Sequence, residues 1–165
     1  MLINTGGFSL AHLDSVIVPY AEKTYQAYLE EFREFYPMDL PDAEEKADKY
    51  ATERVRKDLY NGVQQLEYKF NTVASSRGDF SFITVSFGME TNKWGKMFSE
   101  ALMDVRMKGQ GEPAVPVLFP KLVFLASLEK LHGEGKPNRD LFLKACECSN
   151  RCMYPRIVGA LCSDI

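Results

Sequence analysis

The chain has only two histidines, His12 and His132, and they stand far apart in no metal or triad spacing. Phosphate-binding G-x-x-x-x-G-K-[ST], dinucleotide-binding G-x-G-x-x-G and nucleophile-elbow G-x-S-x-G patterns are all missing. Independent catalysis therefore has no visible seat, and each histidine reads as a surface or capping residue. No run is long and apolar enough to span a bilayer. Met1-Leu2-Ile3-Asn4 has neither the basic start nor the apolar core of an export signal, so the expected location is cytoplasmic. Basic excess is missing too: the formal net charge is −3, which argues against a DNA-binding surface, although a single nucleotide needs only a few local donors. Repeats and low-complexity segments are not found.

The cysteines are few and clustered. Cys146, Cys148, Cys152 and Cys162 form a C-x-C-x₃-C-x₉-C series, not the paired knuckles of a structural zinc site. Cys148 and Cys152 share a helix face, and small packed thiols account for them better than a metal does.

What is present is the composition of one globular domain: 165 residues, 45% hydrophobic and 26% charged. Val16, Ile17, Tyr20, Tyr25, Tyr28, Leu29, Phe32 and Phe35 recur at helical spacing, which predicts a helix from about Leu13 to Phe35, stopped by Pro37 and Pro41. Asp42 suits the N-cap of a second helix running to about Val73, with Glu44 and Glu45 at the positive end of its dipole. That helix has a narrow stripe of Tyr50, Val55, Leu59, Val63, Leu66 and Phe70 on a charged rod, so the two helices make a hairpin whose seam calls for a partner.

Phe80 to Phe87 alternates, with aromatic or β-branched residues on both faces, and predicts a strand buried on both sides. Thr91 or Asn92 caps a helix ending at Gly109. Val115 to Leu125 reads as a second strand, short or bent because of Pro116 and Pro120. His132 to Pro137 reads as a plain surface loop, and Asn138 to Cys152 as the last helix with Leu141, Phe142 and Ala145 inward. The order helix, helix, strand, helix, strand, helix is an α/β pattern. It divides into a hairpin over 1–74 and a strand-helix-strand-helix unit over 75–165, one segment in all.

Ser75-Ser76-Arg77-Gly78-Asp79 is the local sequence richest in chemistry. Short residues and a glycine let the backbone turn and present amides to an anion, while Arg77 offers a fork of donors for phosphate or carboxylate. The same residues suit an ordinary helix-to-strand turn with an exposed arginine. Lys121 reads as a strand-end charge.

Taken in order, these segments resemble a family. Gly6-Gly7-Phe8-Ser9 leading to a long helix, Asn71-Thr72, Ser76-Arg77-Gly78, Phe82-Ile83-Thr84-Val85-Ser86-Phe87-Gly88, Gly109-Gln110-Gly111, Pro116-Val117-Leu118-Phe119-Pro120-Lys121 and the Asp140-Leu141-Phe142 helix with its Tyr154-Pro155 exit are similar to the large subunit of anaerobic (class III) ribonucleoside-triphosphate reductases. Three features depart from that pattern: Asp79 stands where the family has Gln, the loop is a residue shorter, and Ser86 replaces a strand Asn.

The resemblance implies that the chain is an internal segment of a ten-stranded α/β barrel. It implies reduction of ribonucleoside triphosphates to deoxyribonucleotides by glycyl and thiyl radical chemistry, the glycyl radical being made by an iron–sulfur activating enzyme. It implies homodimerisation through the hairpin, and a deoxynucleotide effector read by Ser75, Ser76, Arg77, Gly78 and Asp79. The radical-bearing cysteine, the glycyl-radical site and the structural zinc site of the family match no residue here, so catalytic residues and cofactors are expected in the remaining part of the large subunit. The alternative is a non-catalytic helical interaction or nucleotide-binding module derived from that enzyme.

Overall fold

In the computed structural model, residues 7–36, 42–72 and 82–159 are described. The elements run β1 (Gly7–Leu10), α1 (Leu13–Phe35), α2 (Ala43–Thr72), β2 (Phe82–Phe87), α3 (Lys93–Lys108), β3 (Lys121–Ala126), a π-helical turn (Leu128–His132), α4 (Arg139–Cys152) and β4 (Arg156–Gly159). The strands form one parallel sheet in the order β1-β2-β3-β4. An α/β architecture, helix-rich and led by a long hairpin, is what the sequence predicts.

Among the described residues, the sheet is covered on one face only. Ile83, Val85 and Phe87 of β2 and Leu122, Phe124 and Ala126 of β3 are buried against Phe98, Leu102 and Val105 of α3 and Leu141, Ala145 and Cys148 of α4. Full burial of each large apolar side chain contributes roughly 1.5–3 kcal/mol. Phe82 on the opposite face is 59% exposed, and Thr84, Ser86, Val123 and Leu125 are half-buried. The expectation of burial on both sides is thus corrected. Apolar character on the second face records a strand that no described helix covers.

Two further corrections concern the sheet. The second predicted strand starts only at Lys121, because Pro116 and Pro120 remove ladder donors; before it, Gln110 and Val115 make an isolated antiparallel bridge. β1 and β4, four residues each and without alternation, are strands by virtue of pairing with β2 and β3. The cap signals act as expected: the Asn92 side chain accepts from Trp94 N at 2.8 Å, and Gly109 closes α3 with φ +73°.

The hairpin seam is built from small residues on one helix and tyrosines on the other. Ala47 and Ala51 of α2 are completely buried beneath Leu29, Phe32, Tyr25 and Tyr28, with Val55 following one turn on. Three phenols then reach across to carboxylates: Tyr25 donates to Asp48 at 2.6 Å, Tyr28 to Asp58 at 2.6 Å, and Tyr50 to Glu31 at 2.8 Å. Arg54 lies 4.9 Å from the Tyr28 ring centroid, adding a cation–π contact.

The bond to Asp48 is the main reason the Tyr25 phenol is pushed up to about 12. Since the folded value exceeds the unfolded one, this bond stabilises the hairpin below pH 10 and the contribution is lost as pH rises through about 12. An ultraviolet tyrosinate titration should show late phenols, Tyr25 among them with Tyr28 and Tyr50, and Asp48→Asn should move the Tyr25 step back toward the ordinary value. Identical curves for both proteins would remove Asp48 as the cause.

Candidate functional site

The last turns of α2 carry the chain into residues 73–81. The predicted effector residues Ser75, Ser76, Arg77, Gly78 and Asp79 all lie outside the described residues. Among the described residues, the end of α2 takes part in a built site with an open outer wall and a locked inner one.

The outer wall is a groove of about 480 Å³ between the end of α2, the end of α3 and the 109–114 loop. Gln64, Gln65, Tyr68 and Lys69 line it from α2, and Lys108, Gly109, Gln110, Gly111 and Ala114 from the other side. The helical repeat explains the grouping, because Gln64, Gln65, Tyr68 and Lys69 are spaced i, i+1, i+4, i+5 on one face. Two ammonium groups, three amides and an exposed phenol ring suit a ligand that is anionic at one end and planar at the other. The buried Gln110 Nε2 has no hydrogen-bond partner, so the wall holds a spare donor.

The inner wall faces the sheet. Arg106, 2% exposed, donates Nε to Glu67 Oε1 at 2.9 Å, Nη1 to Val117 O at 3.2 Å and Nη2 to Pro120 O at 2.7 Å. Burial pushes the Glu67 carboxyl up more than the Arg106 guanidinium holds it down. One turn on, Asn71 Nδ2 donates to Glu67 O and Phe119 O, both at 2.6 Å, and its Oδ1 accepts from Phe119 N at 3.2 Å. Two hydrogen bonds made directly by Asn71 and three made through Arg106 of α3 thus fasten the end of α2 to the segment leading into β3.

A second polar cluster sits at the carboxyl end of β2, the rim where parallel α/β sheets present ligands. Asp14, fully buried, accepts from Gly88 N at 2.8 Å and Glu90 N at 3.2 Å. Asn138 donates to Glu90 O at 2.9 Å. His132 is completely buried, against the surface position expected for it, whereas Glu134 to Pro137 of the loop it begins are exposed as expected. Its Nδ1 accepts from Ser127 N at 2.9 Å, which leaves Nε2–H to donate to Gly88 O at 2.8 Å. Neutral imidazole satisfies both bonds. His12, by contrast, is exposed at the N-cap of α1, as expected.

Sequence reasoning missed Lys69, Lys108 and Gln110 as site residues. Gln110 was visible inside Gly109-Gln110-Gly111, but the lysines look like ordinary helix-end charges until the fold brings them together. The thiols behave as packing groups: Cys148 is buried and pushed up to about 12, chiefly by burial, while Cys146 and Cys152 are half-buried. Among the described residues no group of three or more His, Cys, Asp or Glu gathers as a metal set, and no helix is long and apolar enough to cross a membrane.

Comparisons with known proteins agree with the order of these segments. The anaerobic ribonucleoside-triphosphate reductase family model matches residues 4–164. The chain is 34% identical over 155 residues to the anaerobic ribonucleoside-triphosphate reductase of Enterobacteria phage T4, covering 94% of this chain and 24% of that protein. It is 33% identical over 154 residues to the Escherichia coli K12 enzyme of the same name and 32% identical over 154 residues to that of Haemophilus influenzae, each covering 93% of this chain and 21% of the relative. The chain therefore spans a quarter or less of these relatives' length and nearly all of its own, and it belongs to the anaerobic ribonucleoside-triphosphate reductase family.

Proposed function

We infer that the chain supplies the hairpin and effector-reading part of an anaerobic ribonucleotide reductase, whose other parts carry the radical chemistry on ribonucleoside triphosphates. The observation that carries this reading is the groove between α2 and α3. Its Lys69 and exposed Tyr68 lie near the end of α2, the helix that precedes Ser75–Asp79 in the chain, and Lys108 and the glycine-lined loop face them from the end of α3. In this reading Lys69, Lys108 and Arg77 hold the phosphates of a deoxynucleoside triphosphate, and Tyr68 meets the base. The hairpin's uncovered outer side, where Val16 and Tyr20 are 52% and 67% exposed, packs on a second copy. The four parallel strands are a sector of the ten-stranded barrel, and the iron–sulfur activating enzyme acts on parts of the reductase beyond this segment. The cytoplasm, where thiols stay reduced, suits its free cysteines.

Nucleotide titration tests the effector role. Arg77→Ala should weaken deoxynucleoside triphosphate binding about ten- to a hundred-fold, the loss of one charge-assisted hydrogen bond of roughly 1.5–3 kcal/mol. Asp79 places a carboxylate where the family has an amide, so Asp79→Gln should tighten binding. No binding by the protein or either variant would return the loop to a plain turn and favour the interaction-module reading.

A further inference from the structure

The groove and the locked inner wall are two sides of the same two helical turns. Gln64, Gln65, Tyr68 and Lys69 face the groove, while Glu67 and Asn71, interleaved with them, face Arg106 and Phe119. The opposite bank has the same double character. Gly109, Gln110, Gly111 and Ala114 line the groove, and the continuing segment is held at Val117, Phe119 and Pro120 by Arg106 and Asn71 before β3 begins at Lys121.

We propose that Asn71 and Arg106 are positioning residues that transmit occupancy of this groove to β3, so that a nucleoside triphosphate bound outside sets the backbone of residues 117–126 inside. This rests on the nucleotide reading of the groove and adds the route by which that site acts. Ligand contact with Tyr68 and Lys69 displaces or stiffens the final turns of α2. Those turns cannot move against the 117–120 segment without breaking Asn71's paired bonds to Phe119 N and O, so the segment moves or stiffens with them. β3 receives the effect directly, because Thr84 to Phe87 of β2 hold it in register from Lys121 to Phe124. Arg106 adds a fixed pivot, since its planar fork spans α2 and two carbonyls at once.

Hydrogen exchange with a deoxynucleoside triphosphate as the probe tests the route. In the parent protein, saturating nucleotide should slow amide exchange in 121–126 by at least about tenfold, a change in local opening of ~1.4 kcal/mol. Asn71→Ala should bind the nucleotide within about threefold of the parent affinity but lose nearly all of that protection, because the variant cuts the link without touching the groove. Asn71→Asp conserves volume and the acceptor for Phe119 N while removing both donor bonds, and should uncouple in the same way. Full protection of β3 in nucleotide-bound Asn71→Ala or Asn71→Asp would overturn the route, as would binding that protects α2 but never β3. Absence of nucleotide binding to the parent protein would instead overturn the reading of the groove, and the route with it.

Discussion

Glu67→Leu, or Arg106→Met, should each lower the unfolding free energy by about 3–5 kcal/mol, because each leaves a fully desolvated charge without its partner. The side chains of Glu67 and Arg106 are 0% and 1% exposed, so water screens neither. The double variant should recover only part of the loss. Two apolar side chains repack well in such a place, but Arg106 also satisfies Val117 O and Pro120 O, and those carbonyls stay unpaired. Denaturant unfolding of the two single variants and the double variant forms the cycle; single losses below about 1 kcal/mol would mean the pair behaves as a surface salt bridge.

The same pair sets a pH dependence. The folded Glu67 pKa lies above its ordinary value of 4.5, from burial first and despite Arg106. The folded protein therefore holds this proton more tightly than the unfolded chain does. Its contribution is fully present below pH 4.5 and is lost as pH rises through the raised value. Melting temperatures measured across that interval should fall by more in the parent protein than in Glu67→Gln, and parallel profiles would exclude Glu67 as the source.

Gly88→Ala should be the other severe change, at roughly 2–5 kcal/mol from overpacking and backbone strain together. A Cβ at this position would lie 2.8 Å from the Phe124 ring and 3.0 Å from Leu125 O, at a φ of +114° that L side chains rarely adopt. Neither neighbour yields: Phe124 is completely buried and Leu125 is paired in the sheet. Gly62→Ala supplies the contrast, since its Cβ meets nothing within 4 Å in the middle of α2. It should raise stability by about 0.5–1 kcal/mol through helix propensity alone. Equal effects at the two sites would show that the Gly88 turn relaxes freely.

The contrast between these glycines indicates what was legible in the sequence. Elements governed by local rules could be read from it: the helical spacing of α1 and its end at Phe35, Asn92 as a cap and Gly109 as a terminator. Elements governed by partners could not. β1 and β4 have no alternation to announce them. His132 is buried because Ser127 and Gly88, five and forty-four residues away, take both its nitrogens. Glu67 and Arg106 look like two solvated charges on amphipathic helices until each is seen to neutralise the other. Ala47 and Ala51 carry the hairpin seam, yet periodicity weighted toward large side chains passes over them. For the candidate site, the resemblance pointed to residues 75–79, outside the described residues, whereas the groove's lysines and the Asn71 link needed the fold.

Strand order in the sheet follows chain order, and every neighbouring pair is parallel. The unpaired edges among the described residues therefore belong to the first and last strands, β1 and β4. Further strands can join at either side by continuing the backbone, with no rethreading of existing pairs. Until they do, two short edges stand open beside exposed Phe8, Ile157 and Val158. Sheet propagation is thus built into the segment at both rims, and a preparation lacking its flanking strands will tend to satisfy them with copies of itself.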